Sequence, residues 1–375
     1  MHPLACSVAL TATLLACSTS SSPELPVQEP SPEAEEGPAA GMPAALDWLC
    51  ENQLEDGSWP AATGEGAERT TAGSRIGVSG LATLALLAEG NTMSSGPRAA
   101  AVRRGVDWLL AQQQESGLIG EPLGHSFLYG HAIGLMALSE AATLSGGVAG
   151  EALAEPVQRA VAFAERARNP YGAWRYDVPP VGDNDTSVTG WMALALAAAV
   201  DAGAAVEQGC FDGTLGWLRE VTDKQTGRVG YTEAGSSSSR IPGVNDEYPV
   251  DPTETLTAES IFVRAVMGGL AEGDELLEKQ KGLLLRKLPE HDLEGRTTDP
   301  YYWYFGSLAA FQCGGELWRA WQPALEKALS AAQSEDGSFP PEGPWDSIGG
   351  RVQSTSLGAM SLAVQYRYGR VSGGR

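Results

Sequence analysis

Apolar residues recur along the chain at three- and four-residue spacing, in segments separated by short turns that contain glycine. This spacing is typical of α-helices with a buried face and not of β-strands. Five of the turns share one pattern, in which a glycine is followed two residues later by a large apolar residue. The pairs are Gly57 and Trp59, Gly117 and Ile119, Gly172 and Trp174, Gly227 and Val229, and Gly337 and Phe339.

The glycines of this pattern are separated by 60, 55, 55 and 110 residues. Since the last gap is twice the preceding one, we expect a sixth, degraded unit between positions 227 and 337. Each unit also has a second apolar segment after its turn, rich in Ala, Leu and Gly. These segments begin at Val78, Tyr129, Ser187, Leu256, Tyr301 and Ser354. Six units of two helices predict twelve helices.

A helical hairpin with an apolar stripe on both helices cannot bury both stripes alone, so successive hairpins must stack. Six hairpins are the number that closes a ring in double-layered helical barrels, and neither end of the repeat has an obviously polar capping unit. We therefore predict an all-α fold over residues 42–371, an (α/α)6 double-layered toroid of six helical hairpins with a narrow central funnel. The turn tryptophans are expected to pack between outer helices.

The turn pattern resembles the repeat motif of squalene-hopene cyclases and of the wider terpenoid-cyclase and protein-prenyltransferase toroids, over residues 44–370. Three segments are most similar to exported bacterial proteins with prenyltransferase and squalene-oxidase repeats. They are DTSVTGW at 185–191, YYWYFGSLAAFQCGGELW at 301–318 and GGRVQSTSLGAMSLAVQYRY at 349–368. The resemblance implies the toroid fold, but it says little about chemistry, because the motif is structural and folds host unrelated functions.

The N-terminus is predicted to be an export signal. A short apolar stretch ends in Leu-Leu-Ala-Cys at positions 14–17, which resembles the cleavage site of bacterial lipoproteins. We therefore expect residues 1–16 to be removed, Cys17 to be lipidated, and the Ser-, Pro- and Glu-rich residues 17–41 to form a disordered tether. Ser18 is not Asp, and the resemblance to Gram-negative lipoproteins then implies a cell-envelope location at the outer membrane. Membrane contact would occur through the lipid anchor only.

The charge of the chain excludes several partners. The formal net charge is −22, and residues 1–41 contain five Glu and no Lys or Arg, so the remainder carries −17. Such a field is expected to repel nucleic acid and anionic membranes, and no basic patch with interleaved aromatic residues offsets it. Cys50, Cys210 and Cys313 are too far apart in sequence to indicate a disulfide framework and are expected to be buried apolar residues.

Two catalytic sites of this fold were compared with the chain. Zinc prenyltransferases use an Asp, a nearby Cys and a later His, but no Asp-x-Cys occurs here, so we predict no metal or cofactor. Class II terpene cyclases protonate an alkene with an Asp-x-Asp-Asp motif. The nearest segment places Asp185 at the last Asp, Asn184 at the proton donor and Gly182 at the first Asp. Asp183 and Asp185 are the candidate catalytic acids, and helix capping by both is the alternative.

Further polar and aromatic residues begin or precede the predicted inner helices and are expected to gather at one mouth of the funnel. Aromatic rings with a few charges suit an elongated apolar ligand with a polar head. The candidate ligand-binding residues are His131, Trp191, Glu259, Tyr301, Tyr302, Trp303, Asp346 and Arg351. The structural alternatives are a core role for His131, packing by the aromatic residues, and an ion pair between Asp346 and Arg351. Residues 232–255 are expected to form a loop at the same mouth.

These observations favour an exported, lipid-anchored, non-catalytic toroid that binds an apolar, isoprenoid-like ligand or a protein partner in its funnel. The missing proton donor and metal ligands are the basis of that hypothesis. The alternative is a class II terpene cyclase that acts through Asp183 or Asp185. A polysaccharide-active enzyme would need two funnel carboxylates at hydrolytic separation, for which Asp185, Glu259 and Asp346 are the candidates.

Overall fold

Helices account for most of the described chain. The protein is represented by a computed structural model that describes residues 41–61, 67–239, 241, 243, 245–249, 254–268, 270 and 273–372. The predicted signal peptide, the predicted lipidation site at Cys17 and all of the predicted tether except Gly41 lie outside these residues. The helices are α1 (Met42–Glu51), α2 (Ala67–Ala88), α3 (Ala99–Ala111), α4 (Phe127–Ser145), α5 (Gly147–Glu151), α6 (Ala154–Ala167), α7 (Thr186–Asp201), α8 (Gln208–Glu220), α9 (Thr255–Val266), α10 (Glu275–Leu285), α11 (Pro300–Cys313), α12 (Gly315–Ala332) and α13 (Asp346–Ser372).

Two kinds of helix alternate along the chain. Helices α1, α3, α6, α8, α10 and α12 bury one face, as amphipathic surface helices do, whereas α4 and α7 are buried on nearly every side. The second kind forms an inner layer in which α2 packs on α4, α4 on α7, α7 on α9, α9 on α11, α11 on α13, and α13 again on α2. The fold is therefore a closed double-layered α-α toroid, as predicted. The single-turn helix α5 is an addition to the twelve.

The two ends of the repeat meet directly. The Gln333 side chain, after the last outer helix, donates from Nε2 to the carbonyl oxygens of Gly41 and Gly337, both at 2.8 Å. Gly337 has a φ of +87° and lies so close to α1 that a Cβ there would be 2.6 Å from the Ala44 carbonyl oxygen. Backbone-to-backbone packing at a left-handed position requires glycine. The sequence pattern thus specifies closure as well as the individual turns.

The turns have a second shared function, which is to fill the groove between the two layers. Their large apolar residues are at most 2% exposed, and the backbone N–H of each donates to one side chain on the inner helix that follows. The acceptors are Ser79, His131, Thr189, Thr257 and Thr355. A buried N–H left without an acceptor is costly, so each bond fixes its turn to the inner helix.

Candidate functional site

The candidate site lies where the inner helices begin. Every inner helix follows an outer helix, so all six run in the same direction and their N-termini share one end of the ring. At this end, tyrosine and serine side chains from three inner helices and two turns are only partly exposed. We call this group the tyrosine mouth; its members are Tyr129, Tyr176, Ser187, Tyr231 and Tyr301. The mouth surrounds one carboxylate.

That carboxylate is Asp185, which is fully buried and begins α7. Its Oδ1 accepts from the Val188 N–H at 2.8 Å, as an N-cap does, and its Oδ2 accepts from the Tyr231 hydroxyl at 3.1 Å. Tyr176 also bonds to the carboxylate, and its hydroxyl bonds to that of Tyr231. Burial raises the pKa of Asp185 to about 6, although these hydrogen bonds act in the opposite direction.

A second carboxyl, Glu259 on α9, is also fully buried. Neither of its oxygens has a hydrogen-bond partner among the described residues. The carboxyl lies against Gly190 of α7 so closely that a Cβ at this position would overlap it. Burial, with a further contribution from the charge of Asp185, raises the pKa of Glu259 well above its usual range, which favours the neutral form of the carboxyl. A buried polar group without a partner is uncommon, and Glu259 therefore remains a candidate functional residue.

The centre of the ring at this depth is filled by aromatic rings. Tyr301 of α11 bonds through its hydroxyl to Ser187 at 3.0 Å and accepts from the Trp191 Nε1–H at 2.7 Å. Both partners are on α7, so the bonds pass across the ring and over α9. Trp191 also packs edge-on against Phe305, with 5.3 Å between ring centroids. Trp191 and Phe305 are at most 2% exposed, so neither ring lines an open funnel at this depth.

The two candidate catalytic acids lie in different environments. Asp185 faces the interior, whereas the Asp183 side chain is 69% exposed and pairs with Arg175 at 3.2 Å. Asp183 is therefore not a displaced interior acid, and its position on the surface corrects that expectation. Asn184, at the position of the proton donor in the cyclase motif, is 7% exposed. The capping alternative is correct for Asp185, which caps α7 while it also faces the tyrosines.

His131 belongs to the structural frame. Its Nδ1 accepts from the Ile119 N–H at 3.1 Å, which is the bond that Ser79 and Thr189 make in other units, and its Nε2 lies 3.2 Å from the Ala160 carbonyl oxygen. Burial lowers the pKa of His131 to about 4, so the ring is neutral. Both nitrogens are bonded to backbone, which leaves none to bind a ligand. The core interpretation of this histidine replaces the ligand-binding one.

Asp346 and Arg351 do not form the ion pair considered above. Asp346 accepts from the Gly343 N–H at 2.8 Å, and burial raises its pKa to about 6. Arg351 instead donates to the Ser338 hydroxyl at 2.7 Å, in the last turn. Each therefore stabilises its own end of the segment that leads into α13, and no described bond joins either residue to Asp185.

Tyr302 and Trp303 lie away from the mouth, in contrast to their neighbour Tyr301. The Tyr302 hydroxyl donates to the Lys287 carbonyl oxygen at 2.7 Å. Both rings line a cleft of about 550 Å³ between the residues that follow α10 and the outer helix α12. Their expected place at the funnel mouth is corrected for this reason, since successive residues on a helix point in different directions.

Sequence reasoning missed most of the tyrosine mouth. Tyr176 and Tyr231 both lie two residues after the buried residue of a turn, Trp174 and Val229 respectively. The turn is bonded to the inner helix, so a side chain at this offset is directed to the beginning of that helix. The shared offset was a signal in the sequence. Its link to Asp185 was not, because the two tyrosines come from different units.

Comparisons with known proteins agree with the fold. Residues 33–129 match the sequence model of the squalene-hopene cyclase C-terminal domain. A type II terpene cyclase from Scytonema has a TM-score of 0.54 at 15% identity, with 86% of this chain and 96% of that chain covered. An α-amylase from Clostridium perfringens has a TM-score of 0.57 at 12% identity, with 86% and 97% covered, and a D-mannose isomerase has 0.59 at 12%, with 88% and 96% covered.

These likenesses define the class of protein. At such identities they show the fold alone, which terpene cyclases, glycosidases and isomerases share. No curated protein matches the sequence significantly. The chain has the α-α toroid fold, and the resemblance to squalene-hopene cyclases inferred from its turns is confirmed over the matched residues 33–129. Among the described residues, no cluster of three or more His, Cys, Asp or Glu side chains is placed to hold a metal ion.

Proposed function

We propose that the protein binds a molecule with an apolar body and a hydroxyl or similar polar head at the tyrosine mouth, without turnover. The observation that carries this proposal is the convergence of partly exposed tyrosine hydroxyls on the buried carboxylate of Asp185. The carboxylate and the hydroxyls would bond the polar head, and the rings of Tyr129 and Tyr301 would contact the apolar body. The alternative is a protein partner that inserts a side chain with an apolar body and a polar head into the same mouth.

Two features support binding without catalysis. Asp185 already accepts hydrogen bonds from the α7 backbone and from tyrosine, which favour its ionised form, and that form has no proton to donate. The position of the alkene-protonating acid in the cyclase motif is occupied by Asn184, whose amide has no acidic proton.

Catalysis is the second candidate function, and Glu259 is the observation that favours it. A buried carboxyl with a raised pKa and no hydrogen-bond partner has the character of a general acid. The charge of Asp185 contributes to that shift, which supports a role for the two carboxyls as a pair. Such a pair would suit either alkene protonation, as in a class II terpene cyclase, or glycoside hydrolysis.

The test is native mass spectrometry, with lipid extraction, of the protein purified from its own host. Wild type is compared with Asp185→Asn, and Asp183→Asn is the matched control because it makes the same change on the surface two residues away. Asparagine remains a good N-cap, so α7 should still form. We expect a stoichiometric ligand in wild type and in Asp183→Asn, and its loss in Asp185→Asn. Equal occupancy of all three proteins contradicts binding at the mouth, and turnover that needs Glu259 supports the second candidate.

We also propose that the toroid is exported and held at the cell envelope by a lipid on Cys17. The support is the Leu-Leu-Ala-Cys sequence and the tether composition that follows it. In the described part of the chain, no helix has the length and apolar character needed to cross a membrane. Metabolic labelling with a fatty-acid analogue should be lost in Cys17→Ala and kept in Cys6→Ala. Equal labelling of Cys17→Ala and wild type contradicts the anchor.

A further inference from the structure

The connection between α10 and α11, residues 286–299, departs from the other five, and we call it the fifth connection. In the first two units a glutamine stands two residues after the outer helix and bridges to the next one. Gln53 donates to the Ala101 carbonyl oxygen at 3.0 Å, and Gln113 to that of Pro156 at 2.8 Å. The corresponding residue after α10 is Lys287, whose side chain makes no described bond to α12.

The fifth connection also does not insert a large residue between the layers. Leu293 stands at the offset of Trp59 and Ile119 from its outer helix, but it is 50% exposed. Trp321 of α12 fills the inner part of this groove, fully buried, and donates from Nε1 to Ser307 of α11 at 2.9 Å. The outer part of the groove remains open as the cleft of about 550 Å³.

The floor of this cleft is apolar. It is formed by aromatic rings of α11 and by one face of α12, on which small residues recur at helical spacing. The residues are Tyr302, Trp303, Ala324, Ala328 and Ala331, with Leu285 at the edge. The volume lies within the range of about 300–1,000 Å³ that is typical of small-molecule sites. The floor suits a hydrocarbon or aromatic body.

The rim of the cleft is basic. Arg286, Lys287 and Lys327 line it, and no ion pair of any of the three is found among the described residues. Glu290 is the single carboxylate that lines the cleft. Arg286 and Lys287 follow the C-terminus of α10, where the helix dipole stabilises cations, but Lys327 comes from a different helix. Three cations without an ion-pair partner in the described part of the chain thus surround one opening, although the net charge is −22.

We propose that this cleft is a second binding site, and that it takes an anionic amphiphile, a molecule with a phosphate or carboxylate head and a single apolar body. The three cations bind the head, and the rings of Tyr302 and Trp303 with the alanine face of α12 contact the body. The same chemistry occurs in a free amphiphile and in a membrane lipid. This site is independent of the tyrosine mouth, which carries an acid in place of cations.

The first experiment is titration calorimetry of the full chain with monomeric dodecyl phosphate. The chain carries Cys17→Ser, so that no attached lipid competes for the cleft. We expect one molecule bound per chain, with affinity about tenfold weaker in Lys327→Gln because one charge-assisted bond to the head is lost. Arg319→Gln removes a cation from the same helix outside the cleft and should bind as wild type. Ala331→Phe, which fills the opening, should abolish binding, and thermal unfolding verifies that each variant is folded.

Three further ligands test the contribution of the anionic head, the contribution of the apolar body, and whether the ligand is a free amphiphile or a membrane lipid. Inorganic phosphate and uncharged dodecyl maltoside should each bind much more weakly than dodecyl phosphate. Sedimentation with phosphatidylglycerol vesicles that is lost in Lys327→Gln assigns a membrane lipid, whereas binding of the soluble molecule alone assigns a free amphiphile. The proposal is overturned if wild type does not bind dodecyl phosphate, if Lys327→Gln and Ala331→Phe bind it as wild type does, or if inorganic phosphate binds equally well.

Discussion

The groove between the two layers is filled in one way at the five regular turns and in another way at the fifth connection. In the five, a turn residue such as Trp59 enters the groove between the layers, and its backbone N–H bonds to the inner helix. At the fifth, Trp321 enters the same groove from the next outer helix, and its indole N–H bonds to Ser307. The comparison teaches that the groove requires a buried apolar side chain and an N–H donor for the inner-helix acceptor, whichever segment supplies them.

The difference also shows where the fold is free to acquire function. A turn that is bonded to two helices cannot vary without a loss of stability. Once Trp321 supplies the ring, residues 286–299 lose that constraint, and their side chains can form a basic rim. The tyrosine mouth is different, because it depends on regular turns and not on an irregular one. Two of these turns hold Tyr176 and Tyr231 in place.

The strongest test of the comparison replaces the residues at corresponding positions. Trp59→Ala should lower the free energy of unfolding by about 4 kcal/mol, because it leaves a large cavity and removes the 2.7 Å bond from Nε1 to the Leu49 carbonyl oxygen. Leu293→Ala should change it by less than about 0.5 kcal/mol, since Leu293 is half exposed. Urea unfolding measures both. Comparable losses in the two variants would show that the fifth connection is a regular turn after all.

The next test concerns ring closure. Gly337→Ala forces a Cβ into a backbone with φ of +87° and to within 2.6 Å of the Ala44 carbonyl oxygen, so we expect a loss of about 3 kcal/mol. Gly295→Ala in the fifth connection should cost less than about 0.5 kcal/mol, because the new methyl group meets only the Asp292 side chain, which can move. Thermal unfolding of both variants provides the measurement. A tolerated alanine at position 337 would contradict close packing between the first and last units.

His131 allows the turn-to-helix bond to be tested by pH. It is the one acceptor among the five that titrates, and burial lowers its pKa to about 4. The unfolded chain therefore binds a proton more readily, and stability is lost as the pH falls from about 6.5 towards 4. His131→Thr introduces the acceptor that three other units use. It should reduce the loss in free energy of unfolding between pH 7 and pH 5 by about 2 kcal/mol.

Asp185, Glu259 and Asp346 have raised pKa values and act in the opposite direction, so the informative quantity is the difference between variant and wild type. Denaturant unfolding at both pH values supplies it, and His125→Thr controls for the loss of an exposed imidazole. An unchanged pH dependence in His131→Thr would mean that the pKa of His131 is not lowered in the folded protein.

The sequence predicts the architecture well because the constraint is local and repeated. The positions of Gly57, Trp59 and their counterparts define the turns, and the doubled gap indicates the irregular unit. Ring closure was also predicted, from the number of hairpins and the lack of a polar capping unit at either end. Each of these features depends on residues within one unit or its neighbour.

The site was less predictable because it depends on contacts between distant units. Asp185 and Glu259 were both candidates, but Tyr231 joins Asp185 from another unit, and the isolation of the Glu259 carboxyl is a property of packing against Gly190. His131 was misassigned because the sequence does not show that it replaces the serine or threonine that accepts the turn N–H in the other units. Only the hydrogen bonds of the structure show this. The side chains of Tyr301 and Tyr302, one residue apart, face different sites.

The smallest effect, and the sharpest comparison, comes from exchanging the bridging residues. Gln53→Lys removes the bonds from Nε2 to the carbonyl oxygens of Gly57 and Ala101, at 2.8 and 3.0 Å, and should cost about 1.5 kcal/mol. The reverse change, Lys287→Gln, should alter stability by less than about 0.5 kcal/mol, because Lys287 bridges to nothing described on α12.

Both variants are measured by urea unfolding on the same chain. A gain of more than about 1 kcal/mol in Lys287→Gln would mean that the glutamine restores a bridge and that the fifth connection is only one substitution from a regular turn. A neutral result would mean that the whole backbone of residues 286–299 has departed from the repeat. In that case the basic rim does not depend on a single residue but on the altered course of the segment.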